Sequence, residues 1–498
     1  MKNNKKYILA LDQGTTSSRS VLINKNGSIT NSAQEGFKQY FPKSGWVEHN
    51  PEEIWTSQLN TINALLKKSK ISASEIAAIG ITNQRESVVI WERSSGRPIY
   101  NAIVWQDRRT AGFCDFLKSN GYQEKISKKT GLIIDPYFSA SKIKWILDQV
   151  DSSRERARNG ELCFGTIDTW LIWKLTNGKY HLTDVTNASR TMIFDIHHLK
   201  WDDDLLELFD IPKPMLPEIK GCSEVYAETD ISEFETPVRI SGIAGDQQAA
   251  LFGQMCISKG MAKNTYGTGC FLLMNIGVKP VLSQHQLITT IAYQINGEVN
   301  YALEGSIFVG GAAVEWLRDG LGIIDNAPDI QNLAETTEGN GDIYFVPALT
   351  GIGAPYWNPH ARGAIFGISR GTTKAHIARA TLEGIAFQVY DVIKAMEEDA
   401  GHNCKELRVD GGAAANNLLM QFQADILDAK VRRPKELETT ALGAAFLAGL
   451  AVGFWKNLDD LKTILDTEST VFRSQMSLKE SLHRVDCWHR AVKVCQQW

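Results

Sequence analysis

The segment Tyr7-Ile8-Leu9-Ala10-Leu11-Asp12-Gln13-Gly14-Thr15-Thr16-Ser17-Ser18-Arg19-Ser20-Val21-Leu22-Ile23 decides how this chain is expected to fold. An apolar run ends at Asp12, a turn of Gly and hydroxyl residues follows, and a second apolar run comes after Arg19; this pattern predicts strand, turn and strand. Backbone N–H groups in such a turn suit phosphate, and a carboxylate beside it can hold hydrated Mg²⁺. Taken alone, however, the segment is better explained as an ordinary hairpin with a polar turn.

A similar segment in the second half of the chain strengthens the phosphate interpretation. It reads Lys263-Asn264-Thr265-Tyr266-Gly267-Thr268-Gly269-Cys270-Phe271-Leu272-Leu273-Met274. Two Gly/Thr turns between apolar runs, one in each half, predict two related α/β domains that face one nucleotide. We place the division so that residues 1–252 form one domain and residues 253–498 the other. The turns are not P-loops, because the sequence lacks the Gly-x-x-x-x-Gly-Lys-Ser/Thr pattern.

Length and composition limit the class of protein. A single core stops growing at roughly 250–300 residues, so 498 residues predict at least two domains. A formal net charge of −4 gives no basic surface for nucleic acid. The polar start of the chain and the absence of a CxxC pair predict a cytoplasmic protein with free thiols. The uncharged stretch 441–455, rich in Gly and Ala, is shorter than the roughly 20 residues of a membrane helix, and it predicts a buried core helix instead.

Two charged residues follow a predicted buried strand at residues 76–82. Arg85 offers only hydrogen-bond donors and Glu86 only acceptors, and the hydroxyls of a small polyol need both. The alternative is a common surface ion pair, which contributes little to stability. Neighbours in a regular strand point to opposite faces, so both side chains reach one ligand only if the backbone breaks there.

Three further residues are candidates for the same ligand, and two of them have a structural alternative. Asp246 follows a predicted strand that ends at Gly245, where it is either a helix N-cap or a carboxylate at the edge of a sheet that binds ligands. Trp105 either forms an apolar wall or packs in the core. Tyr137 follows a proline and can offer its phenol at the mouth of a site.

The segment Asp184–Arg190 is predicted to be a polar loop.

Seven segments together resemble the motifs of the glycerol kinases, which belong to a carbohydrate kinase family with the actin/ribonuclease-H-like fold. The resemblance extends from about Tyr7 to about Trp455. The segments are Leu11-Asp12-Gln13-Gly14-Thr15-Thr16-Ser17-Ser18-Arg19, Asn83-Gln84-Arg85-Glu86, Trp105-Gln106-Asp107-Arg108-Arg109, Asp135-Pro136-Tyr137-Phe138, Gly245-Asp246-Gln247-Gln248, Tyr266-Gly267-Thr268-Gly269-Cys270-Phe271 and Asp410-Gly411-Gly412.

The resemblance implies ATP-dependent phosphorylation of glycerol to sn-glycerol 3-phosphate, with Asp246 as the general base. It implies two ribonuclease-H-like domains with the active site in the cleft between them, the first binding glycerol and the second binding nucleotide. The residues implied to bind glycerol are Arg85, Glu86, Trp105, Tyr137, Asp246, Gln247 and Phe271. Those implied to contact ATP are Thr15, Thr16, Ser17, Arg19, Thr268, Gly311, Gly412 and Asn416. Asp12 is implied to lie beside Mg²⁺, and self-association as a homodimer or homotetramer is also implied.

Two departures from the family pattern limit these expectations. Glu315 stands where some relatives have a glutamine in the nucleotide site, so its contact with the nucleotide is open. Residues 227–237 contain no Gly, His, Lys or Arg, although some relatives bind a sugar bisphosphate here and others carry a phosphorylated histidine. We therefore expect neither control to act through this loop.

Two alternatives to glycerol phosphorylation stay open at the level of sequence. One is a kinase that acts on another small polyol or a ketose. The other is an ATPase switch of the actin or Hsp70 type, which has no need for Arg85, Glu86 and Asp246 together.

Overall fold

The computed structural model describes residues 5–466 and 469–497. The strands are β1 (Tyr7–Gln13), β2 (Ser17–Asn24), β3 (Ile29–Gly36), β4 (Glu48–His49), β5 (Ile76–Asn83), β6 (Val89–Glu92), β7 (Ala102–Ile103), β8 (Leu162–Gly165), β9 (Leu182–Asp184), β10 (Phe194–Asp195), β11 (Lys200–Trp201), β12 (Glu218–Lys220), β13 (Ser223–Glu228), β14 (Arg239–Gly245), β15 (Met261–Tyr266), β16 (Cys270–Gly277), β17 (Ile288–Ile295), β18 (Glu298–Ile307), β19 (Tyr344–Val346), β20 (Ala364–Phe366), β21 (Glu406–Asp410), β22 (Lys430–Pro434) and β23 (Ser469–Phe472).

The helices lie between these strands and after the last of them. They are α1 (Pro51–Ser69), α2 (Ala111–Ser119), α3 (Gln123–Thr130), α4 (Ser139–Gln149), α5 (Ser153–Arg158), α6 (Ile167–Leu175), α7 (Val185–Ala188), α8 (Asp203–Phe209), α9 (Asp246–Gly253), α10 (Gly311–Asp319), α11 (Asp329–Ala334), α12 (Lys374–Ala400), α13 (Asn417–Leu427), α14 (Thr439–Ala451), α15 (Leu458–Asp466) and α16 (Leu478–Cys495). Within the described ranges, no helix combines the length and the apolar character needed to cross a bilayer.

The same five-strand arrangement occurs in each half of the chain. In the first half, β1 pairs antiparallel with β2 and β2 with β3, while β5 pairs parallel with β1 and β14 pairs parallel with β5. In the second half, β15, β16, β18, β21 and β22 repeat these pairings in the same order. The repeat confirms the predicted α/β class and the prediction of two ribonuclease-H-like units.

The two units meet in a single sheet of thirteen strands. Between them, β13 lies parallel to β17 through one residue pair, Ser223 and Ile295. Because only one residue pair is involved, the two units join at the edges of their sheets. The predicted division at residue 252 falls in the last turn of α9, and it stays a prediction.

Helix α14 follows β22 in the chain but packs on the strands of the first half. Its residues are mostly Ala, Gly, Leu and Phe and are buried on nearly all sides, as predicted for the uncharged stretch. A Cβ atom added at Gly80 of β5 would lie 2.2 Å from the carbonyl oxygen of Ala444, and one at Gly242 of β14 would lie 2.2 Å from the amide nitrogen of Ala448. Glycine at these two positions therefore lets the helix backbone approach the sheet.

Candidate active site

The turn between β1 and β2 forms one end of the candidate site. Asp12 and Arg19 lie directly opposite each other on the two strands, and Gly14 N donates to Ser17 O at 2.9 Å to close the turn. The side chain of Thr15 accepts a hydrogen bond from Trp105 Nε1 at 3.0 Å. The predicted phosphate turn and the predicted apolar wall are therefore in direct contact.

A chain of hydrogen bonds fixes the segment after β5 to this turn. Gln84 Nε2 donates to Gln13 Oε1 and to the carbonyl oxygen of Gly14, both at 3.1 Å. Ser87 Oγ donates to Gln84 Oε1 at 2.9 Å and accepts from the backbone amide of Trp105 at 3.2 Å. The turn after β1, the segment after β5 and Trp105 are thus held together at one end of the sheet.

The backbone breaks at Glu86, as a shared ligand requires. The strand β5 ends at Asn83, and Glu86 has a φ of 61°, in the left-handed region that a non-glycine residue seldom adopts. Arg85 and Glu86 are 3% and 1% exposed, and Arg85 Nε lies 3.8 Å from Glu86 Oε1. The alternative of a surface ion pair is wrong, because both charges are buried.

Asp246 lies beside this pair. It is the first residue of α9, and the N-cap position belongs to Gly245, so the N-cap alternative is wrong. Its Oδ1 accepts from Gln247 N at 2.7 Å and lies 3.2 Å from Arg85 Nε. Burial raises the pKa of Asp246 above its ordinary value, while Arg85 and Lys263 act in the opposite direction. The neighbouring Gln247 accepts a hydrogen bond from Lys263 Nζ, which is buried in the same place.

Tyr137 contacts the Arg85 guanidinium and packs against Trp105. The Tyr137 hydroxyl accepts from Arg85 Nη2 at 3.4 Å, and the rings of Tyr137 and Trp105 are 5.5 Å apart at 89°. The buried Lys142 donates to the carbonyl oxygens of Tyr137 and Phe138, which fixes this loop. Arg85, Glu86, Trp105, Tyr137, Asp246 and Gln247 therefore lie together.

Phe271 belongs to the second half of the chain and lies on β16. It pairs with Ser306 across β16 and β18. Paired residues of antiparallel strands and residues two apart in a strand share one face of a sheet, so Phe271 lies on the same face as Glu304.

The second Gly/Thr turn holds the start of α10. Gly310 N and Ala312 N donate to the carbonyl oxygen of Thr268 at 2.8 and 3.1 Å, and Gly311 N donates to Gly267 O at 2.8 Å. Thr268, which is exposed, is therefore next to the N-terminus of a helix, where the dipole favours an anion. Glu315 is exposed one turn further along this helix.

Two further predicted nucleotide residues, Gly412 and Asn416, lie in the segment after β21. Gly411 has a φ of 85°, and a Cβ there would lie 2.6 Å from Tyr266 O, so this turn packs closely on the second Gly/Thr segment. Gly412 follows in a 3₁₀ turn, and Asn416 caps α13 by accepting from Leu419 N at 2.9 Å.

Arg19 is paired in this structure with a residue of the other half. One of its guanidinium nitrogens donates to Glu438, and the other donates to Gln34 Oε1 at 3.0 Å. Thr16 is exposed, whereas Thr15 and Ser17 are partly buried. A phosphate group that contacts Arg19 has to compete with the Glu438 carboxylate.

Comparisons with known proteins place the chain in a family. Residues 7–253 match the FGGY family of carbohydrate kinases, N-terminal domain, and residues 262–452 match its C-terminal domain. The chain belongs to the FGGY family of carbohydrate kinases. A glycerol kinase of Parabacteroides distasonis is 59% identical over 493 residues, which cover 99% of each chain. The resemblance inferred from the seven motifs is therefore confirmed.

Solved structures of FGGY kinases agree with this assignment. The crystal structure of Plasmodium falciparum glycerol kinase with ADP matches with a TM-score of 0.94 and 40% identity over 98% of each chain. The crystal structure of gluconate kinase from Lactobacillus acidophilus matches with a TM-score of 0.88 and 25% identity, over 98% of this chain and 97% of that one.

Sequence reasoning missed two charged residues of this FGGY site, Arg190 and Glu304. The predicted polar loop at Asp184–Arg190 is wrong, because residues 185–188 form the buried helix α7, whose N-cap Asp184 accepts from Thr186 N and Asn187 N at 2.9 Å. Glu304 interrupts an apolar run in β18. A lone charge in such a run signals a buried partner, because an unpaired buried charge is very costly.

The acidic residues near the first turn fit a bound Mg²⁺ ion. The pKa of Asp12 is raised to about 7, mainly by burial and also by Asp246 and Glu438, while Arg19 acts in the opposite direction. A bound cation would favour the ionised form of this carboxylate. The described residues hold no group of three or more His, Cys, Asp or Glu side chains suited to a metal. Mg²⁺ commonly uses one or two carboxylates together with substrate phosphates, so the lack of a three-residue group does not count against Asp12 as a contact.

Proposed function

We propose that this chain transfers the γ-phosphoryl group of ATP to a terminal hydroxyl of glycerol, giving sn-glycerol 3-phosphate and ADP. One observation carries the proposal: the chain is 59% identical to a glycerol kinase over 99% of both chains. The cluster of buried Arg85 and Glu86 with partly exposed Tyr137 and Asp246 supports it, because these side chains supply donors and acceptors for hydroxyl groups within a few ångströms.

Glycerol binding is assigned to the cluster after β5 and its aromatic wall. Arg85 donates to hydroxyl oxygens, Glu86 accepts from hydroxyl protons, and Tyr137 and Gln247 complete the hydrogen bonds. Trp105 and Phe271 pack on the carbon side of the substrate. A triol that lost one of these partners would leave a buried polar group unpaired, and this cost discriminates against other substrates.

Asp246 is proposed as the general base. Transition states for phosphoryl transfer are loose, so most of the catalysis comes from positioning and from neutralising charge. Even with a raised pKa, a carboxylate is too weak to deprotonate an alcohol beforehand, so Asp246 orients the hydroxyl and accepts its proton late in the reaction. Its contact with Arg85 at 3.2 Å links proton transfer to substrate binding.

The nucleotide is proposed to lie between the two Gly/Thr turns. Thr15, Thr16, Ser17, Arg19 and Thr268 contact its phosphates, Gly311, Gly412 and Asn416 hold the nucleoside, and Glu315 is adjacent to it. Asp12 would hold Mg²⁺, which when bound neutralises phosphate charge. Assembly as a homodimer or homotetramer stays a prediction of the resemblance, and location in the cytoplasm stays a prediction of the composition.

The test is ADP production from Mg-ATP with glycerol, dihydroxyacetone, xylulose, ribulose and gluconate offered separately. Turnover with glycerol far above the other substrates supports the assignment. Strong turnover with a ketose or with gluconate would keep the phosphoryl chemistry and discard glycerol as the substrate. ATP turnover that does not depend on any of these substrates would instead indicate an ATPase switch of the actin or Hsp70 type.

A further inference from the structure

Four buried charged residues form a closed ring beside the proposed glycerol site. Glu304 accepts from Arg85 through two contacts, at 2.7 Å from Nη1 and 3.0 Å from Nη2. Arg190 Nη2 donates to Glu304 Oε1 at 3.0 Å, and Arg190 Nε donates to Glu86 Oε1 at 2.6 Å. Glu86 Oε1 lies 3.8 Å from Arg85 Nε, which completes the ring. We call Arg85, Glu304, Arg190 and Glu86 the ion ring.

The ion ring alternates in charge and has no net charge. Its four side chains are between 0% and 2% exposed, so each charge depends on its neighbours rather than on water. Burial would raise the pKa of Glu304, but Arg190 and Arg85 lower it to about 2, which keeps the carboxylate ionised. Removing one partner of a buried ion pair is strongly destabilising, because it leaves an uncompensated charge.

The ion ring also joins the two halves of the chain. Arg85 and Glu86 follow β5 and Arg190 follows α7, all in the first half, whereas Glu304 lies on β18 of the second half. The orientation of Arg85 is thus set by a carboxylate of the opposite unit.

Arg190 also lies against two aromatic side chains beside the ion ring. Its guanidinium carbon lies 5.7 Å from the centre of the Tyr137 ring and 5.2 Å from that of Phe138. Its Nη1 atom is buried without a hydrogen-bond partner among the described residues. Such an orphaned donor costs free energy, so stability alone does not account for this arrangement.

We propose that Arg190 and Glu304 are positioning residues that hold Arg85 and Glu86 in the geometry required for glycerol. This inference rests on the proposed function. Neither residue needs to touch the substrate: Glu304 fixes the plane of the Arg85 guanidinium with two contacts, and Arg190 holds the Glu86 carboxylate and supports the ring of Tyr137. Loss of either residue is expected to weaken glycerol binding selectively, because the nucleotide residues lie outside the ion ring.

The experiment measures kcat, the KM for glycerol and the KM for ATP in Glu304→Gln, Arg190→Lys and Arg190→Met. We expect the glycerol KM to rise about 10–100-fold, the range that corresponds to loss of one charged hydrogen bond, while the ATP KM is unchanged. Arg190→Lys keeps the charge and is expected to recover part of the loss seen in Arg190→Met. The double variant Arg190→Met/Glu304→Gln removes one charge of each sign, so its glycerol KM rises less than the product of the two single changes.

A matched control is Arg109→Met. Arg109 is a buried arginine with partners Glu48 and Asp107, both at 2.8 Å, and it has no assigned role in the site. Its loss is expected to lower the melting temperature without a selective rise in the glycerol KM. Thermal melting and ADP affinity show which variants of the ion ring are folded. If Arg190→Met does not fold, the isosteric Glu304→Gln still tests the proposal.

The outcomes separate this inference from the proposed function. Wild-type protein without turnover of glycerol would overturn both. Wild-type turnover together with an unchanged glycerol KM in folded Glu304→Gln and Arg190→Lys would overturn the ion ring proposal alone. Equal increases in the KM for glycerol and ATP would also overturn it, because they would indicate a general structural role.

Discussion

Replacing Asp246 with asparagine tests the proposed general base with little change of shape. Asparagine has nearly the same size as aspartate, and its side-chain oxygen can still accept from Gln247 N, which lies 2.7 Å from Oδ1. The start of α9 is also preserved, because Gly245 and not Asp246 is the N-cap. The substitution therefore removes the negative charge and the ability to accept a proton, and little else.

The expected loss of kcat follows from the usual contribution of a general base. General base catalysis supplies about 10²–10⁴-fold in rate, which corresponds to about 3–5 kcal/mol of barrier. We expect kcat to fall by this factor. The glycerol KM should change far less, because Arg85 keeps two contacts with Glu304 at 2.7 and 3.0 Å after its 3.2 Å contact with the Asp246 carboxylate is lost.

The assay is steady-state ADP release at saturating Mg-ATP over a series of glycerol concentrations and pH values. Burial raises the pKa of Asp246, and a base must be ionised to act, so wild-type kcat is expected to fall as the pH drops through that raised value. The asparagine variant should lack this dependence. The control is Asp202→Asn, at the N-cap of α8, where an aspartate paired with Lys129 at 2.7 Å has no proposed role. Near-normal turnover in Asp246→Asn would remove Asp246 from the role of base.

Four further predictions follow from particular contacts. Arg85→Ala is expected to raise the glycerol KM by about 10-fold or more, because it leaves Glu86 and the substrate hydroxyls unpaired; titration of substrate measures this. Gly80→Ala should cost about 1–3 kcal/mol in chemical denaturation, because its Cβ would lie 2.2 Å from a carbonyl oxygen of α14. The hydrogen bond to Asp391 raises the pKa of His489, so its stabilising contribution is present below the ordinary value of 6.5 and is lost as the pH rises through the raised value. Since this ring is 47% exposed, solvent screening limits the contribution to less than about 1 kcal/mol, measured as the difference in melting temperature between wild type and His489→Gln at pH 6 and pH 9. Fructose 1,6-bisphosphate should leave activity unchanged, because residues 227–237 have no cationic side chain.

Each of these predictions has an outcome that contradicts it. An unchanged KM in Arg85→Ala would refute its place in the glycerol site. Gly112→Ala is the control for Gly80→Ala, because a Cβ at Gly112 meets no atom within 4 Å; equal stability losses in the two variants would refute the packing argument. A pH-independent difference for His489→Gln, or inhibition by the bisphosphate, would refute the other two.

The fold was predictable from sequence where local patterns repeat. The segment at Tyr7–Ile23 and its counterpart at 263–274 both fold as strand, turn and strand, because Gly and hydroxyl residues interrupt apolar runs. The requirement for a broken backbone at Arg85 and Glu86 was also a local argument, since neighbours in a strand diverge. The left-handed φ of Glu86 meets this requirement.

The rest depends on contacts between distant parts of the chain. Arg190 and Glu304 are separated by more than a hundred residues, and nothing in the neighbourhood of either one specifies the other as a partner. The polar composition of Asp184–Arg190 suggested exposure, but its side chains bond to one another and to buried neighbours. Whether Arg19 and Asn416 contact a nucleotide stays a prediction, since each side chain already has a partner in the protein.

The position of α14 has a consequence for synthesis of the chain. Gly242 of β14 and its neighbour Ala448 are about 200 residues apart, so a ribosome adding roughly 5–20 residues per second needs roughly 10–40 s to reach the helix after it has made the strand. During this interval the apolar face of β5 and β14 has no covering helix. Completion of the first unit is therefore coupled to translation of about the last eighth of the chain, and a nascent polypeptide stalled before Thr439 is expected to be a target for chaperones.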